Sequence, residues 1–182
     1  MPDAVWPMLA PWTNFYIMMG SSAAALTGLM FVVITLVAGV ERQTRRDGLS
    51  TFSTPTVVHF CAALFASATL VAPWPSATGP AVLLGLGGLC GVVYSLVLIV
   101  HARTFDEDDY KPDLEDWTWY MILPLIAYAA FVAGSIALYP APSTAMFVLA
   151  GSVILFVFIG IHNAWDVVTY LAVIRPKDPP ST

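Results

Sequence analysis

Residues 13–40 read TNFYIMMGSSAAALTGLMFVVITLVAGV, a stretch without a single charged side chain. A helix that crosses the hydrocarbon core of a bilayer needs about 20 mostly apolar residues. Four further apolar runs reach that length, so the predicted spans are 13–40, 54–74, 80–102, 117–139 and 143–174. We therefore expect an all-α integral membrane protein, in which a five-helix transmembrane bundle forms one domain over residues 1–182.

The composition of the whole chain agrees with this expectation. Of its 182 residues, 58% are apolar and 10% are charged, and the mean hydropathy is +0.78. Soluble domains carry about 25% charged residues and about 45–50% apolar ones. This balance excludes a soluble enzyme, a nucleic-acid binder with a basic face, a disordered tail and a secreted disulfide scaffold.

The positive charges predict the orientation of the chain. Six segments precede, connect or follow the five spans, and all Lys and Arg residues lie in three of these segments. They are Arg42, Arg45, Arg46, Arg103, Lys111, Arg175 and Lys177. Five spans place those three segments on one side of the membrane and the other three segments on the opposite side. Cytoplasmic segments are enriched in Lys and Arg, so the N-terminus is predicted outside and the C-terminus in the cytoplasm.

Prolines and tryptophans predict where the helices end. Thr54 and Pro55 are typical of a helix start, and Pro124 inside the fourth span predicts a kink. Trp119 and Trp165 are predicted to anchor their spans at the membrane interface.

Small residues recur at four-residue spacing in two spans. They are Gly20, Ala24 and Gly28 in the first span, and Gly87 and Gly91 in the third. Small residues let membrane helices approach closely. Two interpretations stay open: ordinary contacts within one bundle, or a homo-oligomer contact or pore lining made by one of the stripes.

The first small-residue stripe also carries a resemblance. Residues 20–32 read GSSAAALTGLMFV and resemble the first helix of small multi-pass bacterial membrane proteins. The resemblance implies a bacterial inner membrane, and it implies no activity, cofactor or ligand.

Polar residues inside the spans are the candidate functional residues, because ionisable groups are costly in lipid. His59, His101 and His162 all come near the cytoplasmic ends of their spans, at similar predicted depth. Asp166 follows His162 by four residues, which places both on one helical face. Asn163, Thr56 and Tyr170 complete the predicted polar cluster.

Three interpretations of this cluster compete. The first is a structural cluster whose members satisfy one another. The second is a ligand or proton site in which His162 and Asp166 titrate beside a pathway. The third is a metal or haem site that uses His59, His162, His101 or Asp166, since imidazole and carboxylate are ligands of Zn, Fe and Cu.

No catalytic motif accompanies these residues, since the chain has no GxSxG, HExxH, CxxC or phosphate-binding glycine loop. We therefore predict a small, non-enzymatic and oligomeric membrane protein that forms an ion or small-solute pathway or modulates another membrane protein. The alternative is a metal- or haem-binding membrane protein with a redox or enzymatic role. The expected partners are the lipid bilayer, further copies of the chain or another membrane protein, and not nucleic acid.

Overall fold

The fold is helical throughout the part of the chain that the structure covers. A computed structural model describes the backbone of residues 9–40, 46–104 and 114–173, and the side chains of 9–35, 56–103 and 114–169. Within these residues there is no β-strand. Most of the predicted cytoplasmic charges and the side chain of Tyr170 lie outside the described residues.

Five long helices make up the bundle in the part of the chain that the structure describes. A 3-10 turn at Ala10–Trp12 leads into the first helix. The helices are numbered α1 Thr13–Val40, α2 Arg46–Val71, α3 Thr78–Thr104, α4 Leu114–Ala137 and α5 Pro142–Val173. Four segments are long and apolar enough to cross a membrane, namely Ala10–Thr35, Thr78–Arg103, Leu114–Ala137 and Pro142–Thr169. The described apolar part of α2 is shorter and covers Thr56–Val71. The chain thus has the architecture of a multi-pass membrane protein.

The predicted start of the second helix at Thr54 is wrong. Helix α2 begins at Arg46, two turns earlier, so Pro55 lies inside it. Hydropathy detects only the apolar part of a helix, whereas the backbone can stay helical through a polar segment because its hydrogen bonds are internal. The other predicted boundaries agree with the observed helices within three residues.

Helix α5 lies at the centre of the bundle. It packs against α2 on one side and α4 on the other, while α1 rests mainly on α2 and α3 mainly on α4. In the most apolar window of α5, 56% of the residues are buried, against 22% in α1 and in α3. Of these three helices, α5 is therefore the one most enclosed by protein.

Glycines mark the closest helix contacts. A Cβ atom at Gly20 would lie 2.9 Å from Ser67 Cβ of α2, and one at Gly87 would lie 2.9 Å from Phe65 Cε1 of α2. Gly91 lies against the ring of Tyr128. The three small residues predicted to form one stripe on α1 do not share one contact. Gly20 is buried, whereas Ala24 and Gly28 are exposed. A Cβ atom at Gly28 would have no neighbour within 4 Å in the described part of the chain.

Helix α4 changes its winding before Pro124. Residues Trp117–Ile122 form a π-helix, and the N–H of Leu123 donates to the carbonyl oxygen of Thr118, five residues back. Pro124 has no N–H to continue the regular pattern. Where the sequence predicts a kink, the structure has a wider helical turn, a feature that is frequent at functional sites.

Gly160 offers a test of this packing. A Cβ atom there would lie 2.7 Å from Cδ1 and from Cζ of Phe60, whose ring is fully buried. We expect Gly160→Ala to lower the free energy of unfolding by about 1–3 kcal/mol, the usual cost of overpacking. The measurement is reversible unfolding of the purified protein in detergent.

Gly151 is the matched control on the same helix, since no atom of the described chain lies within 4 Å of its Cβ position. Gly151→Ala should leave stability unchanged or raise it, because Ala favours helix more than Gly does. Equal effects of the two substitutions would contradict the packing described for α2 and α5.

Candidate functional site

The first polar group of the core surrounds His59. Its side chain is 1% exposed, and its ring stacks on Phe156 of α5 with centroids 5.9 Å apart and an interplanar angle of 18°. His59 Nδ1 lies 3.4 Å from the hydroxyl oxygen of Tyr128 on α4. His59, which belongs to α2, therefore contacts both α4 and α5. We call His59 and Asn163 together the core polar site.

Asn163 is the second member of this site, and its amide has no partner. It is fully buried, and neither its Nδ2 nor its Oδ1 has a hydrogen bond to any part of the chain that the structure describes. The same holds for His59 Nε2. Burying an amide without a hydrogen bond costs about 2–7 kcal/mol, so such groups normally bind internal water.

The two members lie at different heights in the bundle. His59 contacts Phe156, and Asn163 lies seven residues further along α5, which corresponds to about 10 Å at the rise of an α-helix. Thr56, also fully buried, precedes His59 by one turn of α2. Polar groups thus extend from the middle of the bundle toward its inner end, the end at which α4 begins and α5 finishes.

A second polar group, the His162 cluster, lies at that inner end. The ring of His162 stacks on Trp119 with centroids 3.9 Å apart and an interplanar angle of 14°. Its Nε2 atom lies 3.4 Å from Asp166 Oδ2 and 3.6 Å from Glu115 Oε1. The hydroxyl of Tyr120 donates to Asp166 Oδ2 over 3.3 Å.

The π-helix contributes two of the five groups that meet there. Trp119 and Tyr120 both belong to the Trp117–Ile122 segment, and adjacent residues of a regular α-helix point about 100° apart. In the observed winding both side chains reach α5, where one contacts His162 and the other contacts Asp166. Pro124 thereby shapes a contact that lies more than a turn away from it.

The structure places the remaining candidates in different surroundings. His101 is exposed in the last turn of α3. His162 follows Phe156, the partner of His59, by six residues of α5, or about 9 Å, so the two histidines do not share one depth. Among the described residues, no group of three or more His, Cys, Asp and Glu side chains is arranged to hold a metal ion.

Sequence reasoning missed the aromatic members of both sites. Tyr128 reads as one more apolar residue of the fourth span, and Trp119 reads as an interfacial anchor. Trp119 instead stacks on His162, whereas Trp165 is 68% exposed, as an anchor requires. The signal that could have found Trp119 was Pro124, because a proline inside an apolar run indicates altered winding just before it.

The chain was also compared with protein-family models, with curated proteins and with solved structures. None of the three comparisons gave a match. The function must therefore be argued from the site alone.

Tyr128 tests the core polar site. Tyr128→Phe leaves His59 Nδ1 without its partner, and we expect a loss of about 1 kcal/mol in the free energy of unfolding. The control is Tyr139→Phe, which removes an exposed hydrogen bond to Thr78 Oγ1 and should cost less than about 0.5 kcal/mol. A larger loss for Tyr139→Phe would contradict the assignment.

Proposed function

We propose that the chain crosses a bacterial inner membrane five times, with its N-terminus outside and its C-terminus in the cytoplasm. The apolar part of α2 rises about 24 Å over 16 residues, and its helix continues on the N-terminal side, which suits a hydrocarbon core of about 30 Å. All seven Lys and Arg residues then fall on the cytoplasmic side. The inner end of the bundle is the cytoplasmic end in this orientation.

Within that topology we propose a pathway for protons. The observation that carries the proposal is the set of buried polar atoms without hydrogen-bond partners at His59 Nε2 and at the Asn163 amide, in the described core of a membrane bundle. A structural cluster would satisfy its own members, and these atoms do not satisfy one another. Water molecules between them would complete their hydrogen bonds and form a route along which protons hop.

One more unpartnered atom extends this row away from the cytoplasmic end. Ser67 Oγ is buried at the contact between α2 and Gly20 of α1. Ser67 lies eight residues beyond His59 on α2, which is about 12 Å along the helix. Asn163, His59 and Ser67 are thus distributed over much of the thickness of the bundle, with gaps that water would bridge.

The close packing of the core supports protons rather than hydrated ions as the transported species. Gly91 lies against Tyr128, Gly160 against Phe60 and Gly134 against Leu149, so the helices meet with aromatic or branched side chains directly on backbone. A hydrated cation needs an open channel, whereas a proton needs only hydrogen-bonded groups and single water molecules.

Proton flux into liposomes tests the proposal. Purified protein is reconstituted with a trapped pH-sensitive dye, and a potassium diffusion potential drives protons inward. We expect flux above that of protein-free liposomes, and we expect His59→Gln to reduce it to that background. His101→Gln, which changes an exposed histidine outside the row, should leave the flux unchanged.

Two outcomes would contradict the proposal. They are wild-type flux no faster than that of empty liposomes, and undiminished flux in a folded His59→Gln variant. Circular dichroism and gel filtration of each variant establish that it is folded.

A second candidate function, association with a second copy or with another membrane protein, is favoured by the outer face of α1. Ala24 and Gly28 are exposed there, and a Cβ atom at Gly28 would have no neighbour within 4 Å in the described part of the chain. Small residues on an outer face let another helix approach.

Cross-linking in lipid tests this: Gly28→Leu should remove the cross-linked species, and Ala129→Leu on the exposed face of α4 should not. Equal yields would contradict it.

A further inference from the structure

The row of unpartnered atoms ends at Ser67, one turn before α2 finishes at Val71. This is the outer end of the bundle, at which α1 and α5 begin. Gly20 of α1 packs on Ser67. Tyr16 precedes Gly20 by one helical turn, and its side chain is 1% exposed. Tyr16 is therefore a buried polar side chain that lies between the contact with Ser67 and the outer end of α1.

The hydroxyl of Tyr16 reaches the same height in the bundle as Ser67. It donates to the carbonyl oxygen of Met146 on α5 over 3.3 Å. Met146 precedes Phe156, the ring on which His59 stacks, by ten residues of α5, which is about 15 Å along the helix. Ser67 lies about 12 Å from His59 in the same direction along α2. The two hydroxyl groups thus lie at heights that differ by only about 3 Å.

The hydrogen bond of Tyr16 is of a kind that can be exchanged for one to water. Its length of 3.3 Å exceeds the usual distance of about 2.7–2.8 Å between a hydroxyl donor and an oxygen acceptor. The Met146 carbonyl also lies inside α5, where a backbone N–H of the same helix is its regular donor. A tyrosine hydroxyl both donates and accepts. It can therefore accept a proton on one side and release its own on the other, with no net change in its charge.

Aromatic rings surround Tyr16 at the outer end. The ring centroid of Trp12 lies 6.2 Å from that of Tyr16 and 4.8 Å from that of Phe147, which it meets edge to face at 85°. Phe15 meets Tyr16 edge to face, with centroids 5.0 Å apart, and contacts Trp12 at 5.9 Å. We call Trp12, Phe15 and Phe147 the outer aromatic cap. Apolar constrictions close water-filled pathways because they exclude water.

We propose that Tyr16 is the outermost proton-carrying group of the pathway and that the outer aromatic cap closes the pathway above it. This role rests on the proton pathway proposed for the core. Trp12 is the central ring of the cap, since it contacts Tyr16 and both other rings. It belongs to the 3-10 turn Ala10–Trp12, whose hydrogen-bond geometry is poorer than that of an α-helix. Its ring can therefore be displaced without unwinding α1.

Proton flux into liposomes tests both parts of the proposal. Tyr16→Phe keeps the ring and removes the hydroxyl, so we expect it to reduce the flux to that of protein-free liposomes. Its matched control is Tyr139→Phe, which removes an exposed hydroxyl near the same end and should leave the flux unchanged. Trp12→Ala should raise the flux severalfold, whereas Trp165→Ala, at an exposed position near the inner end, should not. Adding Trp12→Ala to Tyr16→Phe should bring no increase, because the missing hydroxyl lies below the cap.

Thiol labelling tests the cap without any measurement of flux. Tyr16→Cys, in a background in which Cys61 and Cys90 are replaced by Ser, is treated in lipid nanodiscs with a membrane-impermeant thiosulfonate reagent. We expect slow labelling, and labelling that is severalfold faster when Trp12→Ala is added.

The possible failures are distinguishable. Equal labelling rates with and without Trp12, or equal flux in wild type and Trp12→Ala, would overturn the role of the cap. Undiminished flux in a Tyr16→Phe variant that circular dichroism shows to be folded would overturn the role of Tyr16 and leave the pathway standing. Absence of flux in the wild type would overturn the pathway itself and the role of Tyr16 with it.

Discussion

A lipid bilayer supplies no hydrogen-bond partner, so a polar side chain in a membrane bundle must find one inside the protein. The position of α5 follows from this constraint. It carries His162, Asn163 and Asp166 within five residues, and it is the central helix, packed against α2 on one side and α4 on the other. Apolar helices such as α3 can leave most of their surface outside the bundle, and only 22% of the residues in the most apolar window of α3 are buried.

The close contacts of α5 with its neighbours also decide what the interior can do. Glycines such as Gly160 and Gly134 let Phe60 and Leu149 reach the backbone, which brings the helices together and leaves little free volume. In the proposed proton pathway, the polar atoms of His59 and Asn163 would therefore serve water molecules and protons rather than hydrated ions. His59 on α2 also connects three helices, because its ring contacts Tyr128 on α4 and Phe156 on α5.

Much of the fold was predictable from the sequence, and for a simple reason. Run length and hydropathy report directly on helices that must cross lipid, so four of the five helices agree with prediction within three residues. The start of α2 at Arg46 was missed because a helix that leaves the membrane no longer carries an apolar signal. The mutual position of His162 and Asp166 was also predictable, because a four-residue separation determines it on any helix.

The contacts between helices were not predictable in the same way. His59 and His162 are at comparable distances from their span ends, yet one faces Tyr128 and the other faces Trp119, because helix order and rotation decide the neighbours. Hydropathy carries no information on either quantity. The π-helix adds to this difficulty, because Trp119 and Tyr120, which both contact α5, belong to a segment whose winding differs from that of a regular α-helix.

Hydration of the core polar site is the property on which the proton pathway depends. Solid-state NMR of the protein with ¹⁵N-labelled histidine in lipid measures it directly, because the chain has only three histidines. The signal of His59 is the one that His59→Gln removes. We expect rapid magnetisation transfer from water to that imidazole, despite its burial. A His59 ring that receives no magnetisation from water would mean that the core is dry and that no proton pathway passes through it.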